Sequence, residues 1–130
     1  TKNSFTPPTG AFTVEVRGKS KTAGTNNEVT VRSGSYQISF FVTHGTSGTV
    51  QNKAVSPTKS YTLNTTVAHV YRVVVHSDYT YDLYVDGNLA WSGAANLGSG
   101  SSMFKIGGDT PYTAHFDLDY VKMGSGEIIP

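Results

Sequence analysis

The chain has no cysteine in 130 residues. This excludes disulfide staples, thiolate nucleophiles and cysteine-ligated metals, and leaves the redox compartment open. An excess of one charge is missing too: Lys and Arg total 10 against 9 Asp and Glu, a formal +1, and no basic cluster occupies any one segment. Without that electrostatic footprint no nucleic-acid partner is expected. No apolar run approaches the ~20 residues of a membrane-spanning helix, and the N-terminus shows no charged-then-apolar leader, so no membrane partner is expected. Combinations of Leu, Ala, Glu and Lys, which fill helices, are scarce.

What the chain does have is 14 Gly, 8 Tyr, 6 Phe and many Thr, Ser and Val. That mixture favours strands joined by tight turns. The length suits one domain, able to bury about two-thirds of its unfolded surface. We read residues 1–130 as a single β-sandwich, with 1–10, around Pro7-Pro8, as an extended lead-in or linker remnant and Gly124-Ser125-Gly126 as the other boundary.

Apolar residues recur with a period of two, the mark of half-buried strands. Phe12, Val14 and Val16 alternate with Thr13, Glu15 and Arg17, and Val29 and Val31 with Glu28, Thr30 and Arg32. Tyr36, Ile38, Phe40 and Val42 share a face, while Gln37, Ser39, Phe41 and Thr43 point the other way. Weaker strands fall at 49–53 and 61–63. The strongest pattern runs from Val70 to Asp86, turning around Ser77-Asp78. Asp86-Gly87 is a two-residue hairpin signal, since such turns need the positive φ that Asp and Gly tolerate. Leu89 and Trp91 lie on the returning strand, 99–102 reads as a loop, and strands follow at 103–106 and 114–123. The expected core is Phe12, Val14, Val16, Ile38, Phe40, Tyr71, Val73, Val75, Leu83, Val85, Phe116 and Leu118.

From Tyr71 to Trp91 the sequence YRVVVHSDYTYDLYVDGNLAW resembles a hairpin found in many bacterial laminin G-like and concanavalin A-like domains. The closing FDLDYVKMGSG is similar to their last strand, and GAFTVEV to their first. The resemblance implies an all-β fold, a two-sheet antiparallel jelly roll of the concanavalin A-like type. It also implies a function among lectins, carbohydrate-binding modules, glycoside hydrolases, polysaccharide lyases and adhesive domains, a choice that fold alone does not make.

Jelly rolls bind sugars through aromatic rings stacked on a pyranose and planar polar groups that bond its hydroxyls. Trp91, the single tryptophan, fits a stacking platform, or else packs over the sandwich edge. Tyr79, in a turn, and Tyr112, after Pro111, are the tyrosines expected to be exposed. His115, Asp117 and Asp119 project from one side of the last strand, opposite Phe116, Leu118 and Tyr120. If first and last strands pair, as the resemblance implies, Glu15 and Arg17 join His115 and Asp117 in one polar patch. The alternative is a set of solvated cross-strand ion pairs worth ~0.2–1 kcal/mol each.

No metal ligand set is expected: the four His lack paired helical or finger spacing. The acidic residues Asp78, Asp86, Asp109, Asp117 and Asp119 are scattered, so no cofactor is expected beyond a weak structural calcium. Retaining glycosidases of this fold use two carboxylates about 5–5.5 Å apart. Asp117-x-Asp119 is the nearest match, and no Glu follows it until Glu127, beyond the strand end. A lyase would need a His or Tyr base with Arg and Gln neutralising a uronate, and Arg17, Gln37 and His115 supply only the residue types.

No catalytic residue is therefore assigned. The expected function is a non-catalytic carbohydrate-binding module of a larger secreted or extracellular protein, with a polysaccharide or oligosaccharide ligand held by Arg17, Trp91, His115, Asp117, Tyr112 and Tyr79. A small polysaccharide lyase or glycoside hydrolase, and an adhesive or structural surface or tail domain, are the alternatives.

Overall fold

The computed structural model describes residues 2–3, 10–22, 26–33, 36–52, 58–97, 103–108 and 116–130. Twelve strands occupy these segments: β1 (Lys2–Asn3), β2 (Phe12–Ser20), β3 (Asn26–Ser33), β4 (Tyr36–Thr43), β5 (Gly48–Asn52), β6 (Ser60–Leu63), β7 (His69–Val75), β8 (Thr80–Val85), β9 (Asn88–Ala94), β10 (Asn96–Leu97), β11 (Met103–Gly108) and β12 (Phe116–Ser125). No helix occurs among the described residues. One sheet runs β1-β11-β3-β4-β5-β6, with β10 also pairing β4, and the other runs β12-β2-β7-β8-β9. All pairings are antiparallel. The expected all-β, two-sheet sandwich is the fold.

The core lies between the sheets and follows the alternation. Phe12, Val14 and Val16 of β2, Tyr71, Val73 and Val75 of β7, and Leu83 and Val85 of β8 face Ile38 and Phe40 of β4, all buried. Val29, Val31, Val42, Val50, Phe104 and Ile106 complete the opposing layer. Each such side chain removed from water contributes about 1.5–3 kcal/mol. This layer is what holds two sheets of short, polar-faced strands together.

Phe116 and Leu118 depart from the expected core. Both pair inward, opposite Ser20 and Gly18, but on the sheet's edge strand, so Phe116 is only partly buried and Leu118 is 40% exposed. Gly18 makes room for Phe116. A side chain there would meet the Phe116 ring at 2.4 Å.

Two irregularities reset the faces. In β12 the register shifts between Leu118 and Tyr120, leaving Asp119 without a ladder partner. A bulge inserts one residue and so inverts the alternation beyond it. Tyr120 therefore falls opposite Arg17, on the outward side, and not with Phe116 and Leu118 as the plain alternation expects. In β9 the shift between Leu83 and Tyr84 does the same: Trp91 pairs with Leu83 and Leu89 with Tyr84, placing them on opposite faces. The Asp86-Gly87 turn has φ of 49° and 82°, the double positive φ of the hairpin the sequence signals.

Candidate functional site

The outward face of the first sheet is set by the residues that alternate with its core positions. On β3 these are Glu28, Thr30 and Arg32; on β4, Gln37, Ser39, Phe41 and Thr43; on β5, Thr49 and Gln51. Registration arranges them in rows. Glu28, Phe41, Gln51 and Ser60 form one row across β3, β4, β5 and β6, and Lys105, Thr30 and Ser39 form the next across β11, β3 and β4. Phe41 is the only outward-facing aromatic on this sheet among the described side chains, and is half-buried.

A chain of hydrogen bonds ties the polar members together. The Arg32 guanidinium donates to Gln37 Oε1 at 2.7 and 3.1 Å. Gln37 Nε2 donates to Ser39 Oγ at 3.1 Å, Ser39 and Thr30 hydroxyls share a 3.1 Å bond, and Thr30 Oγ1 donates to Glu28 Oε1 at 2.9 Å. Thr30, Ser39 and Glu28 are buried although they face outward. Strand backbone and mutual bonding thus hold five polar side chains in fixed rotamers beside an aromatic ring. Beyond them Thr43 and Thr49 hydroxyls lie 3.0 Å apart.

The outward face of the second sheet is occupied by its own partners. Glu15 Oε1 accepts 2.9 and 2.6 Å bonds from Arg72 Nε and Nη2, and Glu15 Oε2 accepts from the Tyr120 hydroxyl at 2.9 Å. Burial works to raise the Glu15 pKa, but these two hydrogen-bonding partners and the charges of Arg72 and Lys122 together hold it below the usual carboxylate value. Lys122 Nζ stands 4.6 Å from the Tyr120 ring centre. Residues 126–130 then cross the face: Thr13 Oγ1 donates to the Gly126 carbonyl and accepts from Ile128 N, each at 2.9 Å. A cavity of about 240 Å³ is lined by Thr13, Glu15, Arg72, Lys122, Met123, Gly124 and Ile128.

The structure disperses the residues expected to form the site. Arg17 pairs with Asp119, both near 43% exposed, and Asp117 lies exposed opposite Lys19. This is the solvated cross-strand pair the sequence offers as its simpler reading. Trp91 is a correction: it is 7% exposed, part of the core, and donates from Nε1 to Tyr81 Oη at 3.0 Å. It sits on β9, four strand spacings from β12, which is about 19 Å at ~4.8 Å each, and its ring points between the sheets. Tyr79 is also no open platform. It packs against the core and stacks on Tyr36, ring centres 3.9 Å apart. Tyr79 follows the far end of β7 from Val70, the partner of Arg17. Tyr112 and His115 lie outside the described residues. The candidate Glu28–Phe41–Gln51 face was signalled by the Gln37, Ser39, Phe41 alternation, but alternation alone does not say which strands lie side by side.

Among the described residues no group of three His, Asp or Glu side chains is arranged to hold a metal ion.

No family model and no curated protein matches the chain. Solved structures do. Sheep galectin-11 in complex with glycerol aligns at TM-score 0.54 and 15% identity, covering 95% of this chain and 96% of that one. Caenorhabditis elegans galectin LEC-6 aligns at TM-score 0.53 and 7% identity, covering 92% and 90%. At such identities the likeness is one of fold, and it is the concanavalin A-like jelly-roll sandwich.

Proposed function

We propose that the domain binds carbohydrate without cleaving it, on the outward face of the first sheet, as a module of a larger secreted protein. The observation that carries this is the row Glu28–Phe41–Gln51 beside the Thr30–Ser39–Gln37–Arg32 relay. A pyranose presents an apolar face and a rim of hydroxyls. Phe41 offers the complementary ring, and the partly exposed Gln37, Gln51 and Arg32 around it can donate to and accept from that rim, while the buried Glu28, Thr30 and Ser39 hold Gln37 and Arg32 in place. Because these groups stand on paired strands and are already oriented by one another, little side-chain entropy is lost on binding. The galectin-like fold of the chain supports the same reading.

The test is a glycan array probed with the intact chain, followed by calorimetry with the best ligand. A ligand is expected, and Phe41→Ala should weaken it by about 1–3 kcal/mol, the usual loss of a stacked anchor. An array without hits, or an unchanged affinity for Phe41→Ala, overturns the proposal.

A further inference from the structure

The second sheet carries a different device. Its outward face is crossed by residues 126–130, which leave β12 at Gly126 with φ 84°. Gly126 N donates to the Ala11 carbonyl at 2.9 Å, and Arg72 Nη1 donates to the Ile128 carbonyl at 3.0 Å. Val74 points outward by alternation and pairs with Thr13, yet it is fully buried. We read the crossing segment, which is bonded to Thr13 beside Val74, as its cover. The only ionisable side chain of the segment is Glu127, and Glu127 Oε1 lies 2.5 Å from His76 Nδ1.

His76 is held from the other side as well. Its Nε2 lies 3.0 Å from Asp82 Oδ2 on β8, while Asp82 Oδ1 accepts a 2.5 Å bond from the Ser92 hydroxyl on β9. Both carboxylates can be satisfied at once only if both ring nitrogens carry protons, which makes the ring an imidazolium. We propose that residues 126–130 are a strap across the second sheet and that His76 is its latch, closed while the imidazole is charged and released when it is neutral.

The carboxylates around His76 agree on the sign. Asp82 faces it from β8, Glu127 from the strap, and Asp78 from the turn before β8, where the Asp78 carboxyl is held low first by the Thr80 hydroxyl and amide and also by the His76 charge. On the β9 side Lys59 Nζ donates to the Ser92 carbonyl at 2.6 Å. Burial works to lower the His76 pKa, but the hydrogen bonds and charges of Glu127 and Asp82 outweigh it, and the net is a rise above the usual imidazole value. A group whose pKa is raised by an attachment strengthens that attachment below its free value, near 6.5, and ceases to do so as pH climbs through the raised one. Once the ring is neutral, one of its nitrogens has no proton to offer, and either Glu127 or Asp82 then faces a lone pair. Glu127 is the one on a segment that can move away. What opening uncovers is Val74, Arg72 and the cavity floor at Glu15, an apolar and ion-paired strip unlike the polar face of the first sheet.

The experiment follows the Ile128 δ1 methyl and the His76 ring proton by NMR in the intact chain between pH 5.5 and 8.5 at low salt. Ile128 Cδ1 approaches Gly124, so its shift reports strap position. The expected result is a methyl transition whose midpoint coincides with the His76 titration, absent in His76→Gln and moved to lower pH in Glu127→Gln, with the same midpoint shift seen at the His76 ring. An Ile128 methyl that stays fixed while His76 titrates, or one that still moves in His76→Gln, overturns the proposal. Glu127→Gln lies on an exposed segment and keeps the test open should His76→Gln fold poorly. The outcome is independent of any carbohydrate ligand.

Discussion

The Trp91 indole nitrogen donates to the Tyr81 hydroxyl at 3.0 Å, and both rings lie between the sheets at 7% and 3% exposure. Each supplies the other's polar partner where water cannot. Removing the indole leaves a large void and orphans the Tyr81 hydroxyl, so Trp91→Ala should cost about 3–5 kcal/mol, the range for deleting a buried large aromatic. Tyr81→Phe keeps the volume but strands the indole N–H and should cost about 1–3 kcal/mol. Urea denaturation measures both. A Trp91→Ala midpoint equal to the parent's would show that the indole is not a core group.

Tyr79 combines φ 63° with a ring stacked on Tyr36 at 3.9 Å and 12° between planes. A left-handed conformation costs an L-residue about 1–2 kcal/mol, and a stacked aromatic pair contributes about 0.5–1.5 kcal/mol. The ring contact between the ends of the two sheets offsets the backbone strain of the turn. Tyr79→Gly should therefore be more favourable by about 0.5–1.5 kcal/mol in a Tyr36→Ala background than in the parent. A double-mutant cycle measures this, and strict additivity would refute it.

The Tyr71 hydroxyl is buried with no hydrogen-bond partner among the described residues. Burial, with the Asp86 charge adding to it, pushes its pKa far above the usual phenol value. A desolvated hydroxyl without a partner is a cost with no return, so Tyr71→Phe should leave stability unchanged or raise it by up to about 1–3 kcal/mol. A loss of stability would indicate a bonded hydroxyl.

Much of the fold was legible because a strand buries alternate residues. Phe12 to Val16, Ile38 to Val42, Tyr71 to Val75 and Tyr81 to Val85 each send every second side chain into the core, and Asp86-Gly87 had to be a turn that tolerates positive φ. Phe116 and Leu118 fail because β12 is an edge strand; the other failures fall where one inserted residue inverts the rule. Ala90 sends Trp91 inward and Leu89 outward, and Asp119 turns Tyr120 toward Glu15. Nothing in composition marks either bulge, since each is fixed by the partner strand. The candidate site was half legible: Phe41 and its polar neighbours were assigned to the outward side of β4. Their rank as a site depended on β3 and β5 being the adjacent strands, a fact of topology and not of local pattern.

Glu15 should contribute to acid stability. Its pKa is depressed in the folded chain, so its ionisation stabilises the fold above the ordinary carboxylate value, about 4.3, and that contribution is lost as pH falls through the folded value. Arg72→Met removes the main partner and should flatten the stability–pH curve on the acid side of the ordinary carboxylate value while also lowering stability at neutral pH. Denaturant titrations across that range measure the slope. An Arg72→Met slope equal to the parent's would place the acid sensitivity elsewhere.

The two sheet faces make opposite demands on a ligand, and single substitutions separate them. Phe41 stands outward on β4 between Glu28 and Gln51, where loss of its ring removes little interior packing. Phe41→Ala should weaken the best carbohydrate ligand by about 1–3 kcal/mol with a stability loss below about 1.5 kcal/mol. Arg17 is committed to Asp119 at the exposed edge of the other sheet, and surface pairs of this kind contribute about 0–1 kcal/mol. Arg17→Ala should therefore leave both affinity and stability within about 1 kcal/mol of the parent. Gln37→Ala tests the relay, since it removes the acceptor of the Arg32 guanidinium and the donor to Ser39. It should weaken binding less than Phe41→Ala does, by loosening groups that stay present. The pattern across the three substitutions is diagnostic: if Arg17→Ala abolishes binding while Phe41→Ala and Gln37→Ala do not, the ligand lies on the second sheet, at the edge formed by β2 and β12.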